Sequence, residues 1–176
     1  ANHRSSPEIV ETASAVLPPS ERREVRATAS NGEIPTIVCH ADDRAEARAV
    51  GARCLALRSP GGRHDASAVL ARTNAQLDVV EQVLAELGVP SRRLAPDLAA
   101  DEPGSPMPRR GAVVEDEDGV VLATFHRAKG LEWPNVFVIG ASDGFVPHVA
   151  ATTDAAVDEE RRLLYVALTR AGQNLM

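Results

Sequence analysis

"VVLATFHRAKGLEWPNVFVIG", residues 120–140, decides how this chain folds. Its two ends, VVLATF (120–125) and NVFVIG (135–140), are short, apolar and rich in β-branched residues, without polar alternation. Strands of that kind are covered on both faces, as in a parallel sheet flanked by helices. Ligands of open parallel sheets gather beyond the C-terminal ends of the strands. Thr124, His126, Lys129 and Glu132 are therefore expected on a loop and short turn beyond that edge. A hydroxyl, an imidazole and an ammonium suit phosphate oxygens. Glu132 would repel phosphate, so it should face a sugar hydroxyl or a cation. A solvated turn carrying a Lys129–Glu132 ion pair fits the four residues equally well. Lys129 stands out in another way: it is the only lysine, and the other eighteen cationic side chains are arginine.

Outward from this stretch, strand and helix patterns alternate, which predicts an α/β domain with a mostly parallel sheet. SSPEIVETASAVL (5–17) opens as a helix capped by Ser5, with Glu8 in a capping box and Pro7 in the first turn. EVRATAS (24–30) and IPTIVCHA (34–41) read as strands around the Asn31-Gly32 turn. DDRAEARAVGARCLAL (42–57) is a helix with an acidic start. ASAVLAR (66–72) is a short apolar strand, followed by helix NAQLDVVEQVLAELG (74–88) between an Asn74 cap and a Gly88 stop. DEERRLLYVALTRA (158–171) is amphipathic, with Leu163, Leu164, Val166, Ala167 and Ala171 on its buried stripe. QNLM (173–176) begins a last strand. Residues 94–119, rich in Pro, Gly and charge, read as a linker and then a hairpin or turn. Within them GAVVEDEDG imitates a magnesium-holding strand end, and a charged turn is the better reading.

The chain has 176 residues, 44% of them apolar, enough for one domain with a real core. A net charge of −6 excludes a broad basic surface for nucleic acid. Cys39 and Cys54 make neither a disulfide framework nor a zinc site, which points to a reducing, cytoplasmic compartment. Cys39, His40, Cys54 and His64 match no metal-ligand spacing, so no metal site is expected. No membrane span or signal peptide is visible, and the abrupt ends read as those of a piece of a longer chain. No G-x-x-x-x-G-K-[ST] occurs, so the chain has no phosphate-cradling loop of its own.

Five blocks now carry a resemblance. TFHRAKGLEW (124–133) resembles motif V of the UvrD/Rep/PcrA family of superfamily 1 DNA helicases, and EERRLLYVALTRA (159–171) resembles motif VI. NHRSS (2–6) is similar to motif IV, ARTNAQ (71–76) to motif IVa, and GFVPH (144–148) to the segment after motif V. The blocks occur in the family's order. The resemblance implies the second of two RecA-like domains, a three-layer α/β fold, in an ATP-dependent enzyme moving 3′-to-5′ on DNA. ATP lies between the two domains and single-stranded DNA crosses their top. The P-loop and the Mg²⁺ site belong to the first domain, so these residues alone should be inactive. Residues 1–94 and 119–176 would form the domain, with 95–118 as a linker or hairpin where the family usually inserts a large helical subdomain, termed 2B.

Residue by residue, the resemblance implies that Arg4 reaches the γ-phosphate and that Arg170 is the arginine finger. Glu132 would accept from the ATP ribose. His3 stands where the family has a tyrosine that stacks on adenine, and an imidazole offers less stacking area. Arg72, Asn74, His126 and His148 match positions that contact single-stranded DNA, joined by Thr124. Lys129 falls near both ligands. Trp133 reads as a packing residue. A helicase-nuclease subunit of the RecB or AddA type shares these motifs. A non-catalytic DNA- or partner-binding module is a third reading, and it has no use for Arg4, Arg170 and Glu132 together.

Overall fold

The computed structural model describes residues 5–22, 32–59, 61–94 and 118–176. Five parallel strands form one sheet in the order β2-β3-β1-β4-β5: β1 Ser67–Ala71, β2 Ser91–Arg93, β3 Val120–Thr124, β4 Trp133–Val138 and β5 Ala171–Leu175. Helices α2 (Asp43–Ala56) and α3 (Asn74–Glu86) cover one face. Helices α1 (Pro7–Ala15) and α4 (Asp154–Leu168) lie on the other. The sheet is buried on both sides because its strands offer apolar residues to both. Val69 and Ala71 of β1 join Leu77, Val80 and Leu84 of α3, while Ala68 and Leu70 join Ile9 of α1 and Ala167 of α4. Phe125, with no exposed surface, and Trp133 pack into the second layer, as expected of Trp133. On α4 the apolar stripe is Leu163, Leu164, Ala167 and Leu168, continued by Ala171, while Val166 is half-buried.

Several local expectations need correction. Ser6, not Ser5, caps α1 by accepting from the Ile9 amide at 3.4 Å; it directly precedes the helical Pro7. Thr73, not Asn74, caps α3 in a capping box with Gln76. Helix α4 starts at Asp154 behind a Thr153 cap, earlier than the apolar stripe indicates. Residues 34–41 form no strand. Thr36 donates one backbone bond to Leu175, but Pro35 beside it has no N–H for a ladder, and Ile34 and Ile37 stay exposed. Strand β2, unforeseen, exists because Pro90 and Leu94 bracket a stretch that hydrogen-bonds to β3 through the Pro90 carbonyl and the Leu94 amide. The expected strand at 24–30, Asn31 and nearly all of the 95–118 connection lie outside the described residues, as do His3 and Arg4.

The Cys54 thiol, deep between α2 and the sheet, is pushed up to about 12 by burial and is therefore an inert core atom. Among the described residues no helix is long and apolar enough to cross a membrane.

Candidate nucleotide and nucleic-acid interface

The connection leaving β1 travels as α3 over one face, and the one leaving β4 travels as α4 over the other. The two diverge between neighbouring strands, and the crevice beyond the C-terminal ends of such a pair is where doubly wound sheets bind ligands. Two edges of the sheet matter, and the sequence-based candidates divide between them.

At the C-terminal edge stand Arg72 and Asn74 after β1, Thr124 and His126 at the end of β3, and the loop 140–153 after β4. Asn74 and His126 are exposed, and Thr124, Arg72 and His148 are half-buried. Arg72 is not a loose cation. Its Nε and Nη2 donate to the two oxygens of Glu160 on α4, each at 2.8 Å. This forked pair, with side chains 21% and 11% exposed, joins two stretches 88 residues apart. The Glu160 carboxylate also accepts from the His148 backbone amide at 3.2 Å. The Arg72 bond foremost, and then the His148 amide, hold Glu160 below its ordinary value of 4.5, against the opposing pull of desolvation. His148 Nδ1 accepts from the Ala150 amide at 3.2 Å, which fixes the ring and leaves Nε2 to carry the proton of the neutral form.

Arg72→Ala would strand a largely buried carboxylate and cost about 2–3 kcal/mol at neutral pH. The pH dependence has a definite sign. A depressed carboxylate contributes stability above its unfolded value and loses it as pH falls through the folded one. The gap between native protein and Arg72→Ala should be full at neutral pH and close below pH 4.5. Urea denaturation of both proteins across that range checks it; a gap that persists undiminished in acid would show that Glu160 is not the group involved.

At the opposite edge, where β4 and β5 begin, stand Glu132 and Arg170. This corrects the expectation that Glu132 lies beyond the C-terminal edge with Thr124. Strands β3 and β4 are parallel, so residues 125–132 must return across the sheet to begin the next strand. They do so in tight turns, with Ala128 buried against the sheet. Lys129, exposed, lies on that descent. Trp133 and Ala171 pair at the strand starts, and the Trp133 amide donates to the Arg170 carbonyl at 3.0 Å. The Arg170 guanidinium donates to the Leu131 carbonyl at 3.1 Å and to the Val166 carbonyl at 2.9 Å. Glu132 beside it is exposed. A third segment arrives here: the Ser5 hydroxyl, buried, donates to the Thr169 carbonyl at 3.5 Å. Ser5 follows Arg4 in the chain. The Arg170 guanidinium, the exposed Glu132 carboxylate and the buried Ser5 hydroxyl thus share one edge.

Two residues that sequence reasoning missed are Glu160 and Glu46. Glu46, in the first turn of α2, accepts from the Gly140 amide at 3.1 and 3.2 Å through its two oxygens. Gly140 has φ +61°, and a Cβ there would run into the Gln76 amide, so only glycine fits that approach. Neither acid stands out in the sequence, because a carboxylate that holds a distant backbone amide has no spacing rule.

Known proteins resemble this chain along most of its length. The model of the UvrD-like helicase C-terminal domain matches residues 1–95 and 109–176. ATP-dependent DNA helicase Rep of Escherichia coli is 46% identical over 69 residues, covering 39% of this chain and 10% of that protein. The putative ATP-dependent DNA helicase YjcD of Bacillus subtilis is 53% identical over 66 residues, covering 34% of this chain and 9% of its own length. ATP-dependent DNA helicase UvrD2 of Mycobacterium tuberculosis is 28% identical over 259 residues, covering 99% of this chain and 37% of that protein. That alignment is longer than the chain, so it passes over residues this chain lacks. The chain spans well under half the length of these relatives. The crystal structure of the C-terminal domain of a possible DNA helicase from Lactobacillus plantarum superposes with a TM-score of 0.65 at 20% identity, over 99% of this chain and 85% of the other. The fold is RecA-like, and the chain belongs to the family of UvrD-like helicase C-terminal domains.

Proposed function

We propose that this chain is the second motor domain of an ATP-dependent DNA helicase that moves 3′-to-5′ on single-stranded DNA. It supplies half of the ATP site and part of the DNA track. The observation that carries this reading is the convergence of Ser5, Leu131, Glu132 and Arg170, from three separate stretches, where β4 and β5 begin. A module that only bound DNA would need no such constellation.

In this reading Arg170 and Arg4 stabilise charge on the transferring γ-phosphoryl group. A guanidinium stays ionised and forks onto two phosphate oxygens. Its Nε, Nη1 and Nη2 donate to the Val166 carbonyl, the Leu131 carbonyl and the Thr169 hydroxyl, so the guanidinium is ordered at this edge before ATP and the partner domain arrive. Glu132 accepts from a ribose hydroxyl, and His3 lies against the base. The P-loop and the Mg²⁺ ligands come from the first RecA-like domain, since this chain has no phosphate loop. Single-stranded DNA runs along the C-terminal edge past Asn74, Thr124, His126 and His148. Arg72 joins them with the donors not spent on Glu160, two of its five being used there. Lys129, on the descent between the two edges, is a compact point charge within reach of both ligands. Residues 1–94 and 119–176 act as one domain, and 95–118 stand in place of a 2B subdomain.

The DNA path is narrow and shared with another domain, so an acidic chain can carry it. The test is strand displacement by the full-length protein on duplexes with a single-stranded tail of either polarity. ATP-dependent unwinding should require the 3′ tail. Unwinding only from a 5′ tail would overturn the polarity, and ATP hydrolysis indifferent to DNA would overturn the reading as a DNA motor.

A further inference from the structure

The loop 140–150 is pinned at two points by acids from opposite faces of the sheet. Glu46 of α2 holds the Gly140 amide near the loop's start. Glu160 of α4 holds the His148 amide near its end. Between them the loop folds on itself through Phe145 and Val146 amides donating to the Ser142 carbonyl and a Val149 amide donating to Gly144. Acids beneath a loop that meets a polyanion are unfavourable unless they are already engaged. Both are. The Glu46 oxygens lie on one backbone amide, and Glu160 is shared between a backbone amide and the Arg72 fork. Hydrogen bonds from backbone N–H to an ionised carboxylate are about twice as strong as neutral ones. They fix backbone rather than side chain, which leaves the His148 ring directed by its own Nδ1 bond to Ala150.

We propose that Glu160 and Glu46 are positioning residues that hold this loop in the shape presenting His148 to single-stranded DNA, with Arg72 locking Glu160 in place. This rests on the reading of His148 as a DNA contact. The same helix that holds the loop through Glu160 ends at Leu168, two residues before Arg170 and about 12 Å further along at 1.5 Å per residue. Glu160 thus ties the loop to the helix whose C-terminal end adjoins Arg170.

The experiment uses the full-length protein and an oligodeoxythymidylate. It reads steady-state ATPase against DNA concentration and checks direct binding by fluorescence anisotropy. Glu160→Gln, which replaces one of the two oxygens on the Arg72 fork with an NH₂ group, should raise the half-saturating DNA concentration about tenfold, with kcat at saturating DNA within about twofold of normal. Glu46→Ala, on a helix surface where alanine is well tolerated, should act similarly, and Glu46→Gln, which keeps a neutral acceptor, should restore most of the loss. In a His148→Ala background, Glu160→Gln should add less than about twofold, because residues acting through one contact are not additive. Full additivity, or a fall in kcat with unchanged DNA dependence, would overturn the positioning role and leave a structural one. If His148→Ala alone leaves DNA dependence untouched, the DNA reading of the loop fails instead, and the positioning role with it. Should Glu160→Gln impair folding, the Glu46 pair decides the question.

Discussion

Arg170→Ala in the full-length protein should lower kcat for DNA-stimulated ATP hydrolysis by about 10³-fold or more while leaving single-stranded DNA affinity nearly unchanged. A cation supplied from a second domain stabilises charge that exists chiefly in the transition state, so its loss falls on the chemical step rather than on ground-state binding. The structure gives a reason to expect the large end of the effect. Arg170 is anchored by the Val166 and Leu131 carbonyls at the edge where Glu132 stands, so the charge is ordered in advance. Arg170→Lys should recover little, because an ammonium cannot make both anchoring bonds and still fork onto phosphate. A near-normal kcat at saturating DNA would leave Arg170 as a structural cation that bonds a carbonyl of its own helix end and the Leu131 carbonyl.

Residues 1–176 by themselves should show no DNA-stimulated ATPase activity. The expected effect is a complete loss, not a reduction. ATP needs its phosphates cradled and its Mg²⁺ held before an arginine can act on the transition state, and the sequence contains no loop able to do the first. Adding a first RecA-like domain on the same polypeptide should restore turnover. Phosphate release by the purified 176-residue chain with saturating oligonucleotide measures this. Turnover above the rate of an Arg170→Ala control would place a complete nucleotide site within this chain and contradict the half-site reading.

Much of the architecture was legible in the sequence because burial on two faces leaves a clear mark. The runs at 120–125 and 135–140 had no polar alternation, and they form β3 and β4 with their side chains divided between the two apolar layers. The strand at 66–72 was legible for the same reason, and the helices at 42–57 and 74–88 were legible from their spacing and end signals. Strand β2 was not, since Ser91–Arg93 carries no β signal and owes its existence to the neighbouring edge of β3. The failed strand at 34–41 is the converse: an apolar run with β-forming residues whose ladder never closes. The caps slipped by one residue because Ser5-Ser6 and Thr73-Asn74 each offer two oxygens, and only backbone geometry selects between them.

The candidate site residues stand out in the sequence by type, and their placement does not follow from sequence proximity. Thr124 and Glu132 are close in sequence, yet they lie at opposite ends of the sheet, because the chain between two parallel strands has to cross it. That separation divides one apparent cluster between two edges of the sheet, with Lys129 on the crossing between them. Arg72 read as a cation for DNA, and its fork onto Glu160 could not be anticipated from two residues 88 positions apart.

The central claim is that nucleotide and DNA meet this domain at different edges, joined by α4. A structure of the full-length protein with a non-hydrolysable ATP analogue and a single-stranded oligonucleotide tests it most directly. The Arg170 guanidinium should lie within hydrogen-bonding distance of the γ-phosphate and the Glu132 carboxylate within reach of the ribose, where β4 and β5 begin. The DNA backbone should pass His148 at the opposite edge, beyond the C-terminal ends of the strands. A nucleotide bound away from Arg170, or DNA running along the edge where Glu132 stands, would contradict it.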